Sequence, residues 1–129
     1  MRLRVYHGTR RPREILASGF KPSTGGEFGP GIYFTERPET ASFYAHHVAR
    51  GTDVPTILMT TVELAFPYTV KKIDWITKTE RRSPGTLQRE LHRKGHDAII
   101  GIALNDYERQ IIVFDPKSVV GPIEIFDEA

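Results

Sequence analysis

Hydrophobic and polar positions follow one another along the chain in short runs that are typical of strands. Polar and apolar side chains alternate in residues 2–8, and residues 31–35 form a brief apolar run entered through glycines. Turn residues separate the later runs at Phe66-Pro67 and at NDYE (105–108). Six stretches predict strands: RLRVYHG (2–8), GIYFT (31–35), TILMTTVELA (56–65), DAIIGIAL (97–104), RQIIVFD (109–115) and PIEIF (122–126).

Helical patterns are fewer and short. Three stretches predict helices: RPREILASGF (11–20), PETASFYAHHVAR (38–50) and TLQRELHRKG (86–95). Pro12 suits the first turn of the first helix, while Gly19 and Gly95 are typical positions for a helix to stop. Residues 21–31 have the composition of a flexible loop, and residues 71–82 favour no single structure.

The second helix has the clearest signals. Thr35 is the predicted N-terminal cap, and Gly51 is the predicted end. The three- and four-residue spacing of Ala41, Tyr44 and Val48 places them on one face of this helix, which we expect to be its inner, buried face.

Strands outnumber helices and most are joined by turns, which predicts an α+β fold with antiparallel sheets. We expect one domain over residues 1–129, because 39% hydrophobic residues is enough for one core and nothing in the composition separates two. With 26% charged residues the chain does not have the composition of a disordered protein.

Several classes of function are disfavoured by what the sequence contains. It has no cysteine, which excludes disulfides, thiolate metal sites and cysteine nucleophiles. His46 and His47 are adjacent and point in different directions from a helix, so we expect no metal site. No run of 18 apolar residues occurs, and we therefore expect a soluble, cytoplasmic protein without a membrane segment.

Charge is unevenly distributed around a net value of +2. Residues 71–94, here called the basic segment, carry a net +5 and leave −3 for the rest of the chain. Their basic residues are Lys71, Lys72, Lys78, Arg81, Arg82, Arg89, Arg93 and Lys94. Five arginines (2, 4, 10, 11 and 13) form a second basic group. Both groups are either solvated faces or surfaces that attract an anionic partner, nucleic acid included.

Four side chains stand out against this background. His7 ends a strand and is followed by Gly8, which permits close backbone approach to a ligand. Tyr33 follows a glycine-rich turn, and Tyr44 comes eleven residues later on the next helix. Gln110 opens an apolar strand, where a buried amide requires hydrogen-bond partners. Taken singly, each is as easily explained as a structural residue.

Their order resembles the ADP-ribosyltransferase family, in its His-Tyr-Glu class of diphtheria toxin and the poly(ADP-ribose) polymerases. The segments that carry the resemblance are HGT, ILASGFK, FGPGIYF, GHDAII and QIIVFDP, within residues 5–115. The resemblance implies a split antiparallel β-sandwich with short helices. It also implies that NAD is a consumed substrate and that no metal is needed. The chain has no GxGxxG between a strand and a helix, so nothing suggests a redox dinucleotide site.

The resemblance also implies a role for each site residue. Tyr33 and Tyr44 flank the nicotinamide ring, and the backbone of Gly8 holds its carboxamide. His7 binds the adenosine ribose. In the same way Thr9 completes the HGT segment at the NAD site, Lys21 lies near the adenine and diphosphate, and the PSTGG loop (22–26) covers the dinucleotide.

Two positions depart from the family pattern. Gln110 stands where the family has a glutamate that holds the ribose 2′-hydroxyl and stabilises the cationic sugar, and Ala41 stands where related enzymes have a serine. Glu108 lies two residues before Gln110, so in an extended strand both side chains share one face, although Glu108 is equally an exposed turn residue.

These departures leave several functions open. The first is a mono-ADP-ribosyltransferase with catalytic His7, Tyr33, Gln110 and Glu108 and a protein or nucleic-acid acceptor bound through the basic segment. The alternatives are a module that binds NAD or ADP-ribose without turnover, an NAD glycohydrolase, and an RNA 2′-phosphotransferase-like enzyme. The biological role, for example as a toxin, stays open.

Overall fold

The structure is a computed structural model that describes residues 1–105 and 108–128. Residues 106 and 107 of the predicted turn at 105–108 lie outside these ranges. The strands are β1 (Arg2–Thr9), β2 (Ile32–Thr35), β3 (Thr56–Glu63), β4 (Pro67–Lys71), β5 (Ala98–Ile102), β6 (Arg109–Val113) and β7 (Glu124–Glu128). The helices are α1 (Pro12–Ser18), α2 (Pro38–His47), α3 (Lys72–Thr79) and α4 (Pro84–Arg93), with a 3-10 turn at Pro116–Ser118.

The strands form one connected sheet in the order β4-β5-β6-β2-β1-β3-β7. Neighbouring strands are antiparallel except for β4 and β5, which are parallel. The predicted α+β fold is confirmed, with this parallel pair as the exception. Parallel neighbours need a long crossover connection, and α3 and α4 supply it between β4 and β5.

The sheet is nearly divided between β1 and β2. These two strands are paired at Tyr6 and Thr35 alone, whereas β1 pairs with β3 along its whole length. One half is therefore β4-β5-β6-β2 and the other is β1-β3-β7. A core cluster combines Val5 and Leu58 from the second half with Ile100 and Ile111 from the first. The two halves thus pack against each other, and β1 and β2 separate beyond Tyr6.

Helix α1 matches its prediction, and Gly19 ends it with a φ of 81°. Helix α2 is shorter than predicted. Arg37, and not Thr35, occupies its N-cap position, and the Arg37 side chain makes no capping hydrogen bond. The Thr35 hydroxyl instead accepts a hydrogen bond from the Arg37 N–H, just before the helix begins. The helix ends at His47, before Gly51.

The buried face of α2 also differs from the prediction. Ala41 and Ala45 are the buried pair, while Tyr44 is 39% exposed and Val48, beyond the helix, is 54% exposed. Small side chains are required here because α2 packs directly on Gly8 of β1, as described below.

A second core cluster lies under α3 and α4 and includes Phe28, Trp75, Leu91, Ile99 and Ile112. Residues 71–82, whose sequence favoured no single structure, thus contain helix α3 because Trp75 is buried there. Among the described residues, no helix has both the length and the apolar character needed to cross a membrane. The same residues contain no group of three acidic or histidine side chains suited to a metal ion.

Candidate active site

The separation of β1 from β2 opens a cleft whose walls carry the residues singled out in the sequence. His7 and Gly8 lie on β1 just past the last residue pair that joins the two strands, and Tyr33 lies on β2. Gln110 lies on the neighbouring strand β6, where it pairs with Thr35 of β2. The topology thus brings together side chains that are about a hundred residues apart in the sequence.

His7 bridges the cleft at its narrow end. Its Nδ1 lies 2.7 Å from the backbone carbonyl oxygen of Tyr33. A carbonyl can only accept a hydrogen bond, so Nδ1 carries the proton. Burial lowers the pKa of His7 below its ordinary value of 6.5, although the bond to Tyr33 opposes this shift. His7 is therefore neutral near pH 7, and its Nε2 is a hydrogen-bond acceptor.

Phe20 and Phe34 fix the orientation of this imidazole. Their rings contact His7 edge-on, at centroid distances of 5.2 Å and 5.9 Å, and they contact each other at 5.0 Å. Phe20 comes directly after Gly19, the residue at which α1 stops. The end of α1 therefore places the Phe20 ring against His7.

The hydroxyl group of Tyr33 is held by the backbone of two consecutive residues in the loop before β2. The hydroxyl donates to the carbonyl of Gly29 at 2.6 Å and accepts from the N–H of Phe28 at 2.9 Å. Gly26 has a φ of 145°, and a Cβ there would lie 2.4 Å from the same hydroxyl. Burial is the main cause that raises the pKa of Tyr33 to about 12. The phenol is consequently neutral, and its ring is fixed at one side of the cleft.

Helix α2 forms the opposite side of the cleft. A Cβ on Gly8 would lie 2.0 Å from the carbonyl oxygen of Ala41 and 2.9 Å from the N of Ala45, so the helix can approach β1 this closely only over a glycine. This approach places Tyr44 beside Gln110, whose Nε2 lies 3.1 Å from the Tyr44 hydroxyl.

The two tyrosines line the same small cavity, which has a volume of about 70 Å³. Its lining includes His7, Gly8, Tyr33, Ala41, Tyr44 and Gln110. None of the described residues that line it is acidic. Tyr6 also lines it, so the small cavity combines three phenol rings, an imidazole and an amide without a fixed negative charge.

A large cavity of about 650 Å³ adjoins it and shares His7 and Tyr33 with it. Its other lining residues include Thr9, Arg11, Arg13 and Lys21. Thr9 is 6% exposed, and its hydroxyl accepts a hydrogen bond from the N–H of Arg11, which shapes the entry to α1. The two cavities thus adjoin at His7 and Tyr33, with a small uncharged cavity on one side and a large one on the other whose described lining has three basic residues and one acidic residue, Glu14.

Glu108 is the one predicted site residue that lines neither cavity. It lies one residue before β6, and its backbone N–H bonds to the side chain of Asn105 at 3.2 Å. Arg109, between Glu108 and Gln110, forms an ion pair with Glu36 just after β2. That pair lies beside the site and fixes the start of β6.

Sequence analysis missed two basic residues of the large cavity. Arg11 and Arg13 were assigned only to a general basic group, because nothing in the sequence shows that α1 turns them towards the cleft. Arg13 is also bound to Asp53, at 3.0 Å. Arg11 and Lys21 thus add positive charge to the large cavity.

Comparison with known proteins adds one match. The family model for the poly(ADP-ribose) polymerase catalytic domain matches residues 2–104, about four fifths of the chain. The match covers His7, Tyr33 and Tyr44 and ends before Gln110. No curated protein matches the chain.

Proposed function

This chain belongs to the poly(ADP-ribose) polymerase catalytic-domain family, and from that premise we propose that it is a mono-ADP-ribosyltransferase. Enzymes of this family are NAD-dependent ADP-ribosyltransferases that consume NAD and need no metal. The proposal adds that one ADP-ribose is transferred at a time, to a macromolecular acceptor, with His7, Tyr33 and Gln110 in the positions of the family triad. The cytoplasmic location stays a prediction.

The observation that carries the proposal is the joined pair of cavities. The small cavity presents Tyr33 and Tyr44 to a flat ring, and the large cavity presents Arg11 and Lys21 to anionic groups. NAD has this polarity, with a nicotinamide ring at one end and a diphosphate further along. A stacked aromatic contact contributes about 0.5–1.5 kcal/mol for each ring.

The first chemical step is cleavage of the bond between nicotinamide and ribose. The C1′–N bond breaks, and nicotinamide leaves with the bonding electron pair as a neutral molecule. Positive charge then develops on the ribose, so catalysis requires groups that stabilise this charge more than they stabilise bound NAD. Burial of the leaving ring between Tyr33 and Tyr44 orients it for departure.

His7 binds the adenosine ribose in this proposal, and Gln110 binds the ribose that carries nicotinamide. The bare Nε2 of neutral His7 accepts a hydrogen bond from a ribose hydroxyl, as expected for an imidazole whose Nδ1–H is already used by Tyr33. Gln110 reaches the 2′-hydroxyl from the Tyr44 side. Its amide holds the hydroxyl without charge, which stabilises the developing cation less than a carboxylate does.

The neutral amide also favours mono-ADP-ribosylation. Extension of a polymer requires activation of a ribose hydroxyl as the next nucleophile, and an amide cannot take its proton. An acceptor that is already nucleophilic, such as a carboxylate or a phosphate, attacks C1′ without that help. For a weaker nucleophile, Glu108 is the proposed base, which requires its side chain to turn towards the cleft when substrate binds.

The basic segment is the proposed acceptor surface. Its helices α3 and α4 contact the loop that holds Tyr33, through Trp75 and Gln88. These helices line a groove of about 590 Å³, whose four basic residues outnumber its two acidic ones. The basic residues are Lys78, Arg81, Arg82 and Lys94, and the acidic ones are Glu80 and Glu90. An acidic protein or nucleic acid would be attracted to this charge.

Incubation with labelled NAD and a cell extract tests the proposed activity. We expect free nicotinamide together with label on a macromolecule, and separate protease and nuclease digestion then identifies the acceptor class. Free nicotinamide without labelled macromolecules would indicate a glycohydrolase. Binding of NAD without any nicotinamide release would identify a non-catalytic module.

Gln110→Glu tests the role of the amide. Tyr44 can donate to a carboxylate as readily as it accepts from the amide, so the local geometry should persist. We expect at least tenfold faster nicotinamide release, which corresponds to about 1.4 kcal/mol of added stabilisation of the ribose cation. A slower enzyme would show instead that the amide has a specific role.

Charge reversal tests the acceptor surface. Replacement of Arg81, Arg82, Arg89 and Arg93 by glutamate should reduce macromolecule labelling and leave NAD affinity unchanged. Arg4→Glu, on an exposed residue of β1, is the matched control. Unchanged labelling in the fourfold variant would make the basic segment a solvated face.

A further inference from the structure

The loop before β2 positions Tyr33, and its own position is set from α4. Phe28 and Gly29 provide the backbone N–H and carbonyl that hold the Tyr33 hydroxyl. These two residues are buried, with Phe28 only 1% exposed. The orientation of the Tyr33 ring therefore depends on what holds this turn of the loop.

Gln88 of α4 contacts the turn directly. Its Nε2 donates to the carbonyl of Phe28 at 3.0 Å and also to the carbonyl of Pro30. Both hydrogens of one amide group are thus used on the carbonyls that flank Gly29. Gly29 has a φ of 93°, and a Cβ there would lie 2.8 Å from Gln88 Nε2, so the side-chain amide fills the space next to the glycine.

Other contacts hold this loop as well, but none that the structure describes binds both carbonyls beside Gly29. The Phe28 ring packs on Trp75 with a centroid distance of 5.3 Å, and the Gly29 N–H donates to the carbonyl of Gly26 at 3.0 Å. Trp75 Nε1 donates to the carbonyl of Glu27 at 2.8 Å, and Lys72 forms an ion pair with the Glu27 carboxylate at 3.1 Å. Loss of the Gln88 amide would therefore free the carbonyls of Phe28 and Pro30 and loosen the turn between them, while the Phe28 ring stays in the core and Glu27 stays attached to α3.

We propose that Gln88 is a positioning residue for the small cavity: it fixes the loop turn that holds the Tyr33 hydroxyl, and so sets the ring that receives nicotinamide. The functional part of this inference rests on the proposed NAD site, whereas the positioning of Tyr33 does not. Gln88 lies on α4 and lines neither cavity, so its effect on a ligand is transmitted through the loop.

A glutamine suits this position because it provides two donors on one nitrogen. Glutamate has nearly the same shape but no donor, and its charge would face two carbonyl oxygens. Gln88→Glu thus removes both hydrogen bonds with little change in volume. Gln88→Ala removes them without adding a charge, and serves as the second variant if the first does not fold.

Hydrogen exchange followed by NMR tests the positioning without reference to activity. The Phe28 amide, which donates to Tyr33, should exchange at least about tenfold faster in Gln88→Glu, because two hydrogen bonds that hold its turn are lost. Amides of the β2–β6 ladder, such as that of Ile112, should exchange as in the wild type. Glu124→Gln, the reverse substitution at an exposed site on β7, should leave the exchange rates of the Phe28 and Ile112 amides unchanged.

Titration with NAD provides the second measurement. The affinity of Gln88→Glu for NAD should be lower by roughly two- to tenfold, the range of one aromatic stacking contact, while the Ile112 amide stays as protected as in the wild type. Unchanged exchange at Phe28, or equally faster exchange at Phe28 and Ile112, would overturn the positioning role. If the wild type fails to bind NAD, the proposed function is wrong, and the exchange data alone decide the role of Gln88.

Discussion

Replacement of Gly8 by alanine should open the site by displacing α2 from β1. The added Cβ would lie 2.0 Å from the Ala41 carbonyl oxygen, and real Cβ contacts essentially never fall below 3.0 Å. The helix backbone has to withdraw by about 1 Å or more to reach that limit. Gly8 has no left-handed φ, so this contact is the cause of the expected effect and backbone strain is not.

The magnitude follows from the kind of contact. Insertion of a methyl group into a packed interior costs typically about 1–3 kcal/mol, and backbone atoms yield less easily than the end of a side chain. Withdrawal of α2 also carries Tyr44 away from Tyr33. Loss of one stacked ring contact would weaken NAD binding by about 0.5–1.5 kcal/mol, roughly two- to tenfold.

Urea unfolding and titration with NAD measure the two effects separately. Gly8→Ala should lower the midpoint of unfolding and the affinity for NAD. Gly85→Ala is the matched control, because a Cβ at Gly85 meets no atom closer than 3.6 Å and this residue lines neither cavity. A Gly8→Ala protein with wild-type stability and wild-type NAD affinity would refute the close packing of α2 on β1 and its role in the site.

Three further predictions concern single residues. Tyr33→Phe leaves the buried N–H of Phe28 without its partner and should lower the free energy of unfolding by about 1–3 kcal/mol in urea; no change would contradict the hydroxyl's role in holding the loop. Burial lowers the pKa of His7 below 6.5, so near and below that pH the unfolded chain binds more protons at this residue than the folded chain does. The free energy of unfolding should therefore decrease as the pH is lowered, by at most about 1.4 kcal/mol per pH unit. His7→Gln should reduce this pH dependence of unfolding, and an unchanged profile would show that His7 is not its source. Asp97→Ala removes the carboxylate that accepts from the N–H groups of Ala65 and Phe66, and should cost about 1–3 kcal/mol of stability while NAD affinity, measured by titration, stays within twofold.

Local patterns predicted the elements whose signals lie within a few residues. Helix α1 follows from Pro12 at its start and Gly19 at its end, and both positions are correct. β1, β3 and β5 follow from alternating or continuous apolar runs. The fold class follows from the number of these elements and from their short connections.

Features that depend on tertiary contacts were harder to predict. Residues 71–82 have mixed local signals, and α3 forms there because Trp75 is buried under the loop at Glu27. The parallel pairing of β4 with β5 requires knowledge of where the crossover ends. Val48 was predicted on the buried face of α2, but the helix stops before it.

The order of short motifs predicted the candidate site residues that line the two cavities, but it did not predict the contacts that hold them in place. Nothing in the sequence connects Gln88 with Phe28, sixty residues earlier, because that contact exists only when α4 packs on the loop. Likewise, Arg11 reaches the large cavity only through the placement of α1.

A crystal structure with a bound, non-hydrolysable NAD analogue would show whether Tyr33 and Tyr44 hold the nicotinamide ring between them. We expect the nicotinamide ring to lie between the rings of Tyr33 and Tyr44, with the adjacent ribose within hydrogen-bond distance of Gln110 and the diphosphate in the large cavity. A nicotinamide ring that lies outside the small cavity, or that contacts only one of the two tyrosines, would contradict the proposed site.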